Sequence, residues 1–128
     1  MMRTAPEPAV IRWLDDQPAE SVWITAITVF EVELGLALLP TGTRRSNLER
    51  SFADLLLTDL GSRVLDFDRT AASAAAALGA VRQRRGRVVD VRDTQIAGIV
   101  LSRRATLATR NSRDFADLDV PVVNPWES

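Results

Sequence analysis

Four short β-rich runs alternate with helical patterns along this chain, and that alternation most limits what it can fold into. The runs are residues 21–25, 63–67, 106–109 and 120–123. Two helical patterns separate the first run from the second. One spans residues 28 to about 39, where Thr28 and Glu31 have the spacing of a capping box. The other spans about 44–60, with Leu48, Phe52, Leu55 and Leu56 on one face. An Ala-rich helix over 69 to about 85 follows the second run, opened by Asp68 and closed by Gly86. After an extended link at Val88-Val89 comes a helix over 91–104, capped by Asp90, that turns Ile96, Ile99, Val100 and Leu101 inward. Residues 111–115 form a turn or a single helical turn, and Pro121 marks the last run as an edge strand. Strands joined through helices predict one α/β domain over residues 1–128, with a mostly parallel sheet flanked by helices. Such a sheet ordinarily opens with a strand near its centre. Here a short helix pattern, residues 5 to 15 or 16, comes first and is stopped by Pro18.

Residue types narrow the chemistry. There is no Cys and no His, which excludes disulfides, thiolate nucleophiles, zinc fingers and Ser-His-Asp catalysis. Catalysis near neutral pH then falls to carboxylates, most naturally around a hard cation with oxygen ligands. The 17 acidic and 16 basic residues leave a net charge of −1, which argues against a globally basic nucleic-acid coat. All the basic residues are Arg, a usage that an Ala- and Arg-rich coding bias explains as readily as phosphate binding does. No apolar run approaches the ~20 residues of a membrane span, and residues 1–10 lack the apolar stretch of a signal peptide. The expectation is a soluble cytoplasmic protein with no membrane partner.

Ligands of open parallel sheets bind at the carboxyl ends of the strands. Four side chains fall there. Glu31 lies in the first turn of the helix after the first strand, and Asp93 in the first turn of the 91–104 helix. Asn111 and Asp114 follow the 106–109 strand directly. Three segments thus bring oxygen ligands to one end of the sheet, where a divalent cation offsets their mutual repulsion. Mg²⁺ suits such a site, and Mn²⁺ could replace it. Each residue also has a plain alternative. Glu31 could complete the Thr28 capping box, and Asp93 could simply complement a helix dipole. Asn111 could be a turn residue and Asp114 a surface acid. Arg82, Arg84, Arg85 and Arg87 form a basic run with Arg92 nearby, either favourable cations at a helix C-terminus or a phosphate-contacting rim. The apolar surface around Leu34, Leu36, Leu38 and Leu39 is either ordinary core or a docking face.

The same residues carry a family likeness. Ile24-Thr25-Ala26-Ile27-Thr28-Val29-Phe30-Glu31 resembles the second acidic motif of PIN-domain nucleases, most similar to the VapC and FitB type of toxin, where a segment reads S-A-I-T-V-A-E. Val64-Leu65-Asp66-Phe67-Asp68 resembles that subgroup's strand-to-helix junction. Asp90-Val91-Arg92-Asp93-Thr94-Gln95-Ile96-Ala97 resembles its third motif, with Asp93 on the catalytic acid. Thr106 to Phe115, containing Thr109-Arg110-Asn111-Ser112-Arg113-Asp114, resembles the fourth, and Val123-Asn124-Pro125-Trp126 the usual close.

The resemblance implies a PIN-like three-layer fold and a ribonuclease toxin of a type II toxin–antitoxin pair. Such a toxin is Mg²⁺-dependent, dimeric, and held inactive by a VapB-like antitoxin. Glu31 and Asp93 would be metal ligands, with Asn111 or Asp114 completing the site. Arg85, Arg87, Arg92 and Arg110 would be the candidate RNA contacts. One departure is at the front. The family opens with a central strand of the form φ-φ-D-T-N-V, whose Asp is the first metal ligand, whereas Met2-Arg3-Thr4-Ala5-Pro6 resembles a later point. Either the start codon is assigned too far downstream, which the intact later motifs favour, or the chain is truncated. A truncated chain would be a weak or inactive PIN domain that binds antitoxin without cleaving RNA.

Overall fold

The structure, a computed structural model, describes residues 12–13, 16–18 and 21–125. The expected N-terminal helix and the closing Trp126 lie largely outside them. Strand β1 (Ile24–Thr25) runs directly into helix α1 (Ala26–Ala37), followed by α2 (Thr43–Asp54) and a π-helical turn (Leu55–Asp59). Then come β2 (Val64–Leu65), α3 (Arg69–Arg84), α4 (Val91–Arg103), β3 (Leu107–Ala108), a 3₁₀ turn (Ser112–Phe115) and β4 (Val122–Val123).

The parallel sense expected of the strands holds. The described residues form two separate parallel pairs. In one, Ile24 faces Val64 and Thr25 faces Leu65. In the other, Leu107 faces Val122 and Ala108 faces Val123. The strands are short because helix caps and turns compete for their ends. Thr25 stops β1 by capping α1: its Oγ1 accepts from the Thr28 amide at 3.1 Å. The helix therefore starts three residues before the Thr28 cap expected from the sequence, because the cap sits where the strand's extended backbone ends. In the second pair the edge position of Pro121 costs no ladder bond, since only its carbonyl is used, accepting from the Leu107 amide at 2.9 Å.

The expected helix over 44–60 is α-helical only to Asp54. Beyond it the Leu60 amide donates to the Leu55 carbonyl at 2.9 Å, a π-type bond that inserts an extra residue. Gly61, at φ 53°, then reverses the chain into β2. The caps of α3 and α4 are as expected. Asp68 Oδ1 accepts from the Ala71 amide at 2.9 Å, and Asp90 Oδ1 from the Asp93 amide at 3.0 Å.

Helices α3 and α4 cross through small residues. Ala71, Ala75 and Ala97 are buried along the seam, and Gly98 lies so close to α3 that a Cβ there would stand 2.5 Å from the Ala71 carbonyl oxygen. Beside the seam, Ala97, Phe115 and Leu118 form a buried cluster backed by Leu78, Leu101, Leu107, Val120 and Val122. Phe115 thereby anchors the 3₁₀ turn to α4 and to the β3–β4 pair, which fixes the segment carrying Asn111 and Asp114 against the helix carrying Asp93. Among the described residues no helix is long and apolar enough to cross a membrane.

Candidate active site

Asp93 stands at the centre of the candidate site. It occupies the first turn of α4, and its backbone amide is satisfied by the Asp90 cap, so its carboxylate has no capping task. Burial raises the Asp93 carboxyl above the usual carboxylate range, and the charges of Asp90, Asp114 and Glu31 push it further; Arg82 opposes them. Charges from α1 and from the 3₁₀ turn thus both bear on the partly buried Asp93.

Glu31 lies in the second turn of α1 rather than the first. The cause is the early cap at Thr25, and the correction removes the capping-box role for Glu31. Its Oε2 is 3.9 Å from Arg92 Nη1, and the Arg92 guanidinium also sits over the Phe30 ring, 5.2 Å from the centroid. Asp114 is held through its backbone: its amide donates to the Asn111 carbonyl at 3.0 Å, and its carbonyl accepts from Arg82 Nη2 at 3.0 Å. Asn111 opens the same turn without a side-chain cap bond. Its amide donates to Thr109 Oγ1 at 3.1 Å, and its position is exposed. The electrostatic coupling therefore joins Glu31, Asp93 and Asp114, and does not involve the neutral Asn111.

The basic run divides. Arg82 is buried, and its Nε and Nη2 donate to Asp117 Oδ2 at 2.9 Å and Oδ1 at 2.8 Å. Arg87 Nη1 donates to Asp117 Oδ2 at 2.8 Å. Arg85 is exposed at the C-cap of α3. Arg110 is exposed after β3, and its carbonyl accepts from Asn124 Nδ2 at 3.2 Å. Sequence reasoning did not single out Asp117 and left Arg82 on the surface. A signal existed for Arg82: residues 71, 75, 78 and 82 form one helical stripe, and the first three are small or apolar. Asp117 carries no comparable signal, because its partner lies 35 residues away.

The hydrogen bond from Arg82 holds the Asp117 carboxyl down at about 2. An acid depressed in the fold contributes stability above its unfolded pKa of about 3.9, and that stability is lost as pH falls through the folded value. Between pH 5 and pH 2 the wild-type protein should lose ~2 kcal/mol through this group. Asp93, raised in the fold, works in the opposite direction over its own window. Urea unfolding at the two pH values, compared with the same pair for Asp117→Asn, measures the difference. An equal loss in both proteins would show that Asp117 is not the acid-sensitive group.

The model of the PIN domain matches residues 2–121. The plasmid stability protein StbB of Pseudomonas syringae pv. tomato is 37% identical over 98% of this chain and 91% of its own length. The VapC ribonuclease Y4jK of Sinorhizobium fredii is 34% identical over 99% of this chain and 91% of its own. The crystal structure of FitAcB from Neisseria gonorrhoeae superposes with a TM-score of 0.88 at 33% identity, over 98% of this chain and 91% of that one. Sequence and backbone agree over nearly the whole length, through the segments that carry Glu31, Asp93 and Asp114: the chain belongs to the PIN-domain family.

Proposed function

We propose that this protein is the ribonuclease toxin of a toxin–antitoxin pair, hydrolysing RNA phosphodiester bonds with the help of Mg²⁺, or Mn²⁺ in its place. The observation that carries the reading is the place of Asp93, partly buried in the first turn of α4 with its backbone amide already satisfied by Asp90, and with the charges of Glu31 and Asp114 from two other segments bearing on it. A divalent cation relieves that arrangement. Among the described residues no three acids converge closely enough to hold an ion by themselves. Mg²⁺ needs only one or two carboxylates, with waters and substrate oxygens completing its shell. Asp93 and Glu31 would hold it, with Asp114 near. When bound, the ion supplies an activated water and stabilises charge on the phosphoryl oxygens.

The chain's own residues orient that chemistry. Asp90 and the α3–α4 seam hold Asp93, and the Phe115 anchor holds Asp114. Arg92, beside Glu31 and over the Phe30 ring, would meet a phosphate, with Arg85 and Arg110 as further candidate RNA contacts. Arg87 would have to exchange Asp117 for RNA to make such a contact.

A VapB-like antitoxin is the proposed inhibitor. The open apolar groove between α1 and α2, lined by Phe30, Leu34, Leu36, Phe52 and Leu56, suits an amphipathic segment. Leu36 itself is core, whereas Leu38 is exposed and available to a partner or a second copy of the chain. The test is cleavage of a labelled structured RNA by the purified chain. Cutting should stop with EDTA and return with excess Mg²⁺. RNA left intact at saturating Mg²⁺ would overturn the nuclease reading in favour of a non-cleaving, antitoxin-binding module.

A further inference from the structure

Among the described residues Arg82 is the one charged side chain that is buried, at 4% exposure, and it lies behind the site rather than in it. Its ion-pair partner is Asp117, with neither Asp93 nor Asp114 taking that place. Two of its donors engage both Asp117 oxygens, and Nη2 also reaches the Asp114 carbonyl. One guanidinium thus grips the chain at two points three residues apart, across the end of the 3₁₀ turn. Arg87 adds a second hold on Asp117, and its amide donates to the Arg82 carbonyl at 3.0 Å, which ties the grip to the end of α3.

We propose that Arg82, clamped by Asp117, is a positioning residue: it fixes the backbone of the Ser112–Phe115 turn and so sets where the Asp114 carboxylate stands relative to Asp93. A 3₁₀ turn is short and has poor internal hydrogen-bond geometry, so it does not hold a catalytic geometry by itself. Phe115 secures one side of it by packing. Arg82 secures the carbonyl side with the rigid fork that an ammonium cannot reproduce. Stability alone gives little reason for the arrangement, because buried ion pairs commonly contribute no more than apolar residues of similar volume. What the fork adds is orientation of the groups around a reacting centre, of the kind whose loss lowers activity without abolishing binding.

The inference rests on the reading of Asp93 and Asp114 as catalytic acids, so its test has an arm independent of activity. Wild type, Arg82→Lys and Arg82→Met are compared by thermal melting, by RNA cleavage kinetics and by amide hydrogen exchange at Asp114. In folded Arg82→Met, kcat should fall about 10–100-fold with KM unchanged. Exchange at Asp114 should quicken by at least about tenfold. Arg82→Lys should fall between the two proteins. A folded Arg82→Met with wild-type kcat and wild-type exchange overturns the proposal. If wild type does not cleave RNA, the nuclease reading fails and exchange at Asp114 alone decides the tether. If neither variant folds, wild type decides it: the Asp114 amide must exchange as slowly as core amides of α4 such as that of Val100, and exchange at the rate of an exposed loop overturns the tether.

Discussion

Replacing Asp93 by Asn should lower Mg²⁺-dependent RNA cleavage by about 100-fold or more, because loss of a metal-holding carboxylate exceeds the 10–100-fold typical of its outer partners. The fold should not suffer. The Asp93 carboxyl is raised in the native protein by burial and by Asp90, Asp114 and Glu31, so its ionised form is disfavoured there. A raised acid binds protons more readily folded than unfolded, and stability falls as pH rises from the unfolded pKa through the folded one. Above the folded pKa the wild-type protein carries that loss, whereas Asn carries none. The Asp90 cap is unaffected, because it receives the backbone amide of residue 93. Single-turnover rates and melting temperatures at pH 7 check both halves. An unchanged rate would reduce Asp93 to a dipole-complementing acid, and a large fall in melting temperature would mean that its carboxylate has a structural partner.

Gly98→Ala should destabilise the protein by about 2 kcal/mol or more, although Ala favours a helix interior by about 1 kcal/mol over Gly. The added Cβ would stand 2.5 Å from the Ala71 carbonyl oxygen, 2.6 Å from the Ala75 Cβ and 2.8 Å from the Ala75 amide nitrogen. Two of those atoms are backbone, so α4 must move away from α3 as a unit. Asp93 is on α4, so the variant should also cleave RNA more slowly than its remaining folded fraction accounts for. Urea titration gives the first quantity and rates normalised to folded protein the second. A Gly98→Ala protein more stable than wild type would show that the helices are not in contact at this point.

Local chemistry made much of this architecture readable. Asp68 and Asp90 cap the helices they were expected to cap, Gly86 follows the end of α3, and the parallel sense follows from strands joined through helices. Reading failed where two local solutions compete. Thr25 and Thr28 can each cap α1, and the choice falls to Thr25 because β1 ends there. That one decision moved Glu31 from the first helical turn to the second and removed its plain structural explanation. The parallel pairing was readable, whereas the two-residue lengths of the strands were not, because strand propensity does not show where caps cut a strand. Position after a strand or at the start of a helix selected Glu31, Asp93, Asn111 and Asp114 as candidates, and of the other three the charges of Glu31 and Asp114 bear on Asp93. The clamp behind them was not readable, since Arg82 looks like one more cation in an Arg-rich run and Asp117 lies far from it in sequence.

The seam of Ala71, Ala75, Ala97 and Gly98 has a consequence for rigidity. Alanine and glycine have no side-chain rotamers to freeze, so bringing α3 and α4 together there costs no side-chain conformational entropy. It also leaves no alternative rotamers through which the seam could repack and let the helices slide. The groove beside α1, lined by the rotamer-rich Phe30, Leu34, Phe52 and Leu56, keeps that freedom. Asp93 therefore rides on a seam that cannot repack, whereas Glu31 rides on α1, which borders a groove whose side chains can.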